Sequence, residues 1–157
     1  MFRTWMFAAL LLVAGAAHAD FDYASYHASS LEALHEYRQV LVHNKLPLDS
    51  LIISPKPDKV YLTIRYSGKI AKLNADLQQM FSQWLEVGQG NAQFASLYVN
   101  ALEIDYQGEP MFIPIQQSLE PYLRNEVKIG DEIQIYALDL AWHKNHPVLV
   151  MTEFATN

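Results

Sequence analysis

Between Lys59 and Ile70 apolar and polar residues alternate along the chain. Val60, Leu62, Ile64, Tyr66 and Ile70 fall on one side, and Lys59, Tyr61, Thr63, Arg65, Ser67 and Lys69 on the other. A period of two is the signature of a β-strand with one face in a core and the other in water. Any fold open to this chain must therefore supply a sheet with a buried face and a solvated one.

The flanking segments carry weaker signals. Ser29-Ser30-Leu31-Glu32 reads as a capping box, with Ser29 as the cap, opening a helix from Ser30 to His43. Its expected inner stripe is Leu31, Leu34, Tyr37 and Leu41, with Asn44 and Pro47 marking its end. Two prolines make Ser54-Pro55-Lys56-Pro57 a stiff loop. Asn74 caps a second helix, in which Leu77, Met80, Phe81, Trp84 and Leu85 follow helical spacing up to Gly88 and Gly90. Residues 94–106 read as a strand with a bulge near Ala101, in competition with a helix over 92–101. Gln107-Gly108-Glu109-Pro110 is a turn before a strand from Met111 to Ile115. Ser118 to Arg124 suits a short helix that tolerates Pro121 in its first turn. In the strand Glu132 to Trp142 the apolar parity shifts, which again signals a bulge. Lys144-Asn145 then forms a two-residue hairpin loop leading to a central strand, Val148 to Phe154.

This order predicts an α+β domain: an N-terminal helix and an antiparallel sheet of about five strands, with the helix at 74–87 as an insertion. Lys128-Ile129-Gly130-Asp131-Glu132-Ile133 resembles the Gly-Asp approach to the fourth strand of many OB domains. That resemblance implies an OB-like, partly open barrel. The alternative is a cystatin-like or NTF2-like roll, with the first helix packed across a curved sheet.

Residues 1–19 have the three parts of a cleavable secretory leader. Arg3 supplies the positive end, Phe7 to Ala16 the apolar run, and Ala17-His18-Ala19 the small residues that precede cleavage. The apolar run is shorter than a membrane span needs. The expectation is a single domain, residues 20–157, in the periplasm or secreted, with no membrane span after cleavage. The chain has no cysteine, so packing rather than disulfides must hold it. Loss of the leader removes Arg3 and no acid, taking the formal charge from −6 to −7. Such a balance argues against a nucleic-acid partner.

Within this acidic chain, Lys56, Lys59, Arg65, Lys69 and Lys72 face a single acid, Asp58. The candidate ligand surface is therefore Lys59, Tyr61, Thr63, Arg65 and Lys69. Cations attract anionic groups, a tyrosine ring can stack on a sugar, and hydroxyls add hydrogen bonds. His143 and His146 flank the hairpin loop and form a second candidate, for a metal, which requires at least a third ligand. No nucleophile motif, phosphate loop or cofactor motif is present, so no cofactor is expected. The leading expectation is an exported, non-enzymatic binding module for an anionic envelope ligand. The alternatives are an accessory protein that contacts another envelope protein, and a small metal-dependent hydrolase.

Overall fold

The computed structural model describes residues 21–42, 51–88, 92–144 and 146–156. The expected leader lies outside these residues, as do His43, Asn44, Pro47, Gly90 and Asn145. After a single turn at Tyr23–Ser25 come β1 (His27–Ala28), α1 (Leu31–Val42), β2 (Ile52–Arg65), β3 (Ile70–Lys72) and α2 (Ala75–Gly88). Then follow α3 (Ala92–Ser96), β4 (Tyr98–Tyr106), β5 (Glu109–Gln116), α4 (Glu120–Glu126), β6 (Glu132–His143) and β7 (His146–Thr156). The fold is α+β, with one seven-stranded sheet in the order β1-β2-β6-β7-β5-β4-β3. No helix among the described residues is long and apolar enough to cross a membrane.

Two expectations need correction. The sheet has seven strands, because β1 adds a short edge and the first long strand divides into β2 and β3. It is also mixed rather than antiparallel: β1 runs parallel to β2, and β5 parallel to β7. The second parallel pair arises because α4 and β6 intervene between β5 and β7, so the chain returns in its earlier direction.

Local chemistry sets the element ends. The Ser30 Oγ, not that of Ser29, accepts from the Ala33 amide at 3.1 Å and caps α1. Asn74 Oδ1 accepts from the Leu77 amide at 2.9 Å and caps α2. Residues 92–101 contain both expected states, α3 and then the start of β4, with a register shift between Tyr98 and Asn100. Gln107 and Gly108 both have positive φ, 57° and 84°, as a two-residue hairpin turn requires. Ser54 to Pro57 is extended within β2 rather than a loop, yet the ladder to β6 breaks between Ile53 and Asp58. Proline offers no amide hydrogen to that ladder.

The sheet is shaped by the four residues between β2 and β3. These strands are five steps apart in the strand order. A flat sheet would separate them by roughly 24 Å, whereas the backbone from Arg65 to Ile70 reaches at most about 18 Å. The sheet must therefore curl. Tyr66 donates to Asp131 O and accepts from the Gly130 amide, each at 2.8 Å, beside β6. Lys69 O accepts from the Glu103 amide at 2.9 Å, and the Ser67 hydroxyl donates to Glu103 O, both on β4.

The curl encloses one core. Val60, Leu62, Ile64 and Tyr66 of β2 and its continuation meet Ile113, Ile115, Ile133, Ile135 and Leu149 there. Leu119, Leu123 and Val127 enter this core from α4, and Leu31 and Leu34 from α1. A second core lies on the other side of the sheet, where Met80, Phe81 and Trp84 of α2 cover Tyr98, Leu140, Ala141, Val148 and Val150. β6 serves both cores through its two faces, and after the register shift between Asp139 and Ala141 the odd-numbered Ala141 joins the second core as well. At the N-terminus the rings of Phe21, Tyr23, Tyr26 and Tyr61 all lie within 6 Å of Tyr136.

The crossing between β2 and β3 yields the first prediction. Gly68 has φ 74°, and a Cβ there would lie 2.6 Å from Ile129 Cγ1. Ile129 is 78% exposed and can swing aside, so the backbone conformation carries the cost. Gly68→Ala should lower stability by about 1 to 2 kcal/mol, and Ile129→Ala should not restore it. Urea melts of the single and double variants measure both.

Candidate functional site

The β6–β7 hairpin sets His143 directly opposite His146, as the two-residue loop implies. The positive φ falls on Lys144, at 47°. Beside this hairpin, the start of α2 and the first residues of β5 leave a cleft of about 190 Å³. Leu77, Met111, Phe112, Pro147 and Val148 give it an apolar lining, and Asn74, Asp76, His143, Lys144 and His146 supply its polar groups. Lys144 Nζ donates to Asp76 Oδ2 and holds that carboxyl below its usual range. A neighbouring recess of about 260 Å³ shares Asp76, His143 and Lys144 and is otherwise lined by Leu51, Gln79, Met80 and Gln83.

Behind the hairpin, α1 covers one end of the enclosed core. Arg38 projects inward from it and meets Asp139 of β6 at 3.2 Å, with side chains only 9% and 3% exposed. Burial raises the Asp139 carboxyl, and the guanidinium of Arg38 only partly offsets that effect. One turn earlier, the His35 ring lies 5.2 Å from Trp142 and 6.3 Å from Tyr106, which itself lies 6.3 Å from His146. Loss of water lowers the His146 imidazole, the nearby His35 lowers it further, and Glu109 opposes both.

Unmet buried side-chain polar atoms among the described residues gather in this region. Among the described residues, the buried side-chain atoms without a hydrogen-bond partner are His35 Nδ1, Arg38 Nε, Asp139 Oδ1, His143 Nδ1 and His146 Nδ1. All five belong to α1 or the β6–β7 hairpin. Buried polar groups are ordinarily paired, and exceptions concentrate where a fold is kept for something other than stability.

The sequence-predicted residues divide. Lys59, Tyr61, Thr63 and Arg65 share the outer face of β2, as expected. Lys69 does not join them, because it lies on the crossing and pairs with Glu103 at 2.9 Å. Lys59 donates to Ser25 Oγ at 3.0 Å and stands 5.5 Å above the Tyr26 ring. Arg65 lies 3.8 Å from Glu132. Lys59, Arg65 and Lys69 thus each lie beside a local partner. As for the metal candidate, no group of three or more histidine or acidic side chains suited to a metal occurs among the described residues. Asp139 stands opposite Leu149 and Glu153 opposite Tyr136, so the hairpin acids do not join the histidines.

The Arg38–Asp139 pair escaped the sequence reading, although a signal existed. Arg38 stands four residues after Leu34, on the inward stripe, whereas Tyr37 turns outward and is 60% exposed. Asp139 keeps the inward parity of Ile133, Ile135 and Ala137. A charge of each sign on core-facing positions is the trace of a buried pair. Comparison with protein-family models, curated proteins and solved structures gave no match.

Two predictions follow from this geometry. Arg38→Met leaves Asp139 buried without its partner and should cost about 3 to 5 kcal/mol, while Arg38→Met with Asp139→Leu should recover most of it; denaturant melts decide. For His146 the folded pKa lies below the unfolded one, so the unfolded state takes up the proton first as pH falls. Its stability contribution is complete above about pH 6.5 and declines through the lower folded value. Asp139, raised in the fold, works in the opposite sense, and its contribution is common to both proteins compared. The loss of stability between pH 7.5 and 5.5 should therefore be smaller in His146→Phe than in the unaltered protein.

Proposed function

We propose that this chain is an exported binding module of OB-like architecture, whose ligand is a small molecule with an apolar body and a polar end. The OB-like reading is supported by the sharing of one curved strand, β2 continued as β3, between β6 and β4. It is supported further by α4 standing between β5 and β6, and by the parallel pairing of β5 with β7. The leader pattern of residues 1–19 supports export. The packing of Phe21 against Tyr26 and Tyr136 supports a domain that begins just after that leader.

The observation that carries the reading is an apolar cleft lined by His143 and His146, two residues whose buried Nδ1 atoms have no hydrogen-bond partner. A mostly apolar concavity with a few convergent polar groups is the usual form of a small-ligand site. The apolar lining of the cleft sets it apart from the basic stripe, whose side chains lie on the outer face of β2. The polar end of the ligand meets His146 or Lys144, and its body lies on Phe112 and Val148.

Three probes of one shape and different charge test this: benzoate, benzylamine and benzyl alcohol. At millimolar concentration at least one should move the amide resonances of residues 74–77, 110–112 and 143–148. Lys144→Ala or His146→Ala should weaken that probe by about tenfold, the value of one hydrogen bond. If none of the three moves these amides in the folded protein, the cleft is not a ligand site.

A further inference from the structure

The outer face of the β2–β6 pair has an order that the cleft does not use. Three rungs follow one another on it: Tyr61 opposite Tyr136, Thr63 opposite Gln134, and Arg65 opposite Glu132. Alternate residues of a strand share a face, so these rungs form a single row about 14 Å long. The row passes from aromatic rings, through a hydroxyl and an amide, to a guanidinium beside a carboxylate. We infer that this face is a carbohydrate platform that takes a linear, uncharged oligosaccharide lengthwise along the Tyr61–Arg65 ladder.

Three observations support that occupant. The first is chemistry. A pyranose ring presents C–H groups that lie against an aromatic face, and hydroxyls that both donate and accept. Tyr61 and Tyr136 supply the rings, and Thr63, Gln134, Arg65 and Glu132 supply donors and acceptors within reach of one chain. The second is charge. Arg65 lies 3.8 Å from Glu132, and Lys59 is held by Ser25 over the Tyr26 ring. Arg65 is thus offset by Glu132 and Lys59 is left as a single cation beside the aromatic end, a charge far smaller than a polyanion site requires and compatible with an uncharged polyhydroxylated chain. The third is order. Phe21, Tyr23 and Tyr26 pack around Tyr136, whose hydroxyl donates to Gln134 Oε1 at 2.7 Å and sets the direction of the amide. A platform fixed in advance loses less side-chain freedom on binding. The far end of the row is open, with Arg65 and Glu132 side chains 74% and 61% exposed.

This surface is independent of the hairpin cleft, and one experiment separates the two. Cellohexaose and chitohexaose serve as neutral probes, and polygalacturonate as an anionic one, each titrated into the full domain and followed by amide NMR. One neutral probe should move residues 61–65 and 132–136 and should still do so in 1 M NaCl, where charges are screened within about 3 Å. Gln134→Ala should weaken that probe at least tenfold, and Lys144→Ala should leave it unchanged. Tyr61→Ala should weaken it too if the variant folds. Gln134→Ala, half-buried on the outer face, keeps the test decisive if it does not. Shifts on these rungs with polygalacturonate alone, abolished by salt, would overturn the proposal in favour of a polyanion site. Silence from both neutral probes at millimolar concentration overturns it outright.

Discussion

Tyr66 to Lys69 carry the chain from β2, next to one edge of the sheet, to β3 at the other. Such a short link cannot bridge a flat sheet of this width, so the curl of every strand between is tied to it. Tyr66 exchanges backbone bonds with Gly130 and Asp131, and Lys69 accepts from Glu103, so the crossing is tied to the approach to β6 at one end and to β4 at the other. Gly68 provides the left-handed turn, and Ile129 packs where a side chain would stand. With the curl in place, the apolar row of β2 faces inward against β5, β6 and β7. The sheet's other side is left for α2 and α3.

Serving two cores with one sheet requires strands that are apolar on both faces. In β6 the odd-numbered Ile133, Ile135 and Ala137 face the enclosed core and Leu138 and Leu140 the second one, and past the register shift Ala141 changes sides to join the latter. The hairpin lies beside α1, the start of α2 and the first residues of β5. The Arg38–Asp139 pair joins α1 to β6 there, and its two unmet atoms show that the joint does not pair all its polar groups. A buried pair of this kind is weak support for stability. It ties α1 to β6, and one turn earlier on the same helix His35 lies against Trp142 behind the hairpin.

Much of this was legible in the residues. The inward row Val60, Leu62, Ile64 and Tyr66, the α2 stripe with its Asn74 cap, the central position of β7 and the His143–His146 pairing all follow from periodicity and turn chemistry. The bulge in β6 was visible as a shift of parity. Other features were not legible because they depend on partners distant in sequence. Ser29 and Ser30 are equivalent caps until Leu34 and Arg38 settle which face of α1 turns inward. Parallel pairing of β5 with β7 leaves no mark on either strand alone. The proximity of Lys59, Tyr61, Thr63 and Arg65 was predicted, but their engagement by Ser25, Glu132 and the N-terminal rings was not. The separation of Lys69 from that row came from the crossing, since alternation continues through a break that the backbone does not honour.

The two proposed surfaces differ in how they treat their own polar groups, and that difference indicates what each can hold. On the outer ladder the charges are met locally and the rings are braced, so a ligand gains by shape and by many weak hydrogen bonds. At the hairpin the imidazoles are incompletely met and water is partly excluded, so one well-placed polar group on a ligand replaces an interaction that the fold does not provide. A chain with no disulfide and a formal charge of −6 would be expected to pair its buried polar atoms for stability's sake. It does so elsewhere among the described residues and fails to at α1 and the hairpin. That contrast is why the hairpin end, rather than the better-paired ladder, is the surface on which the small-ligand reading rests.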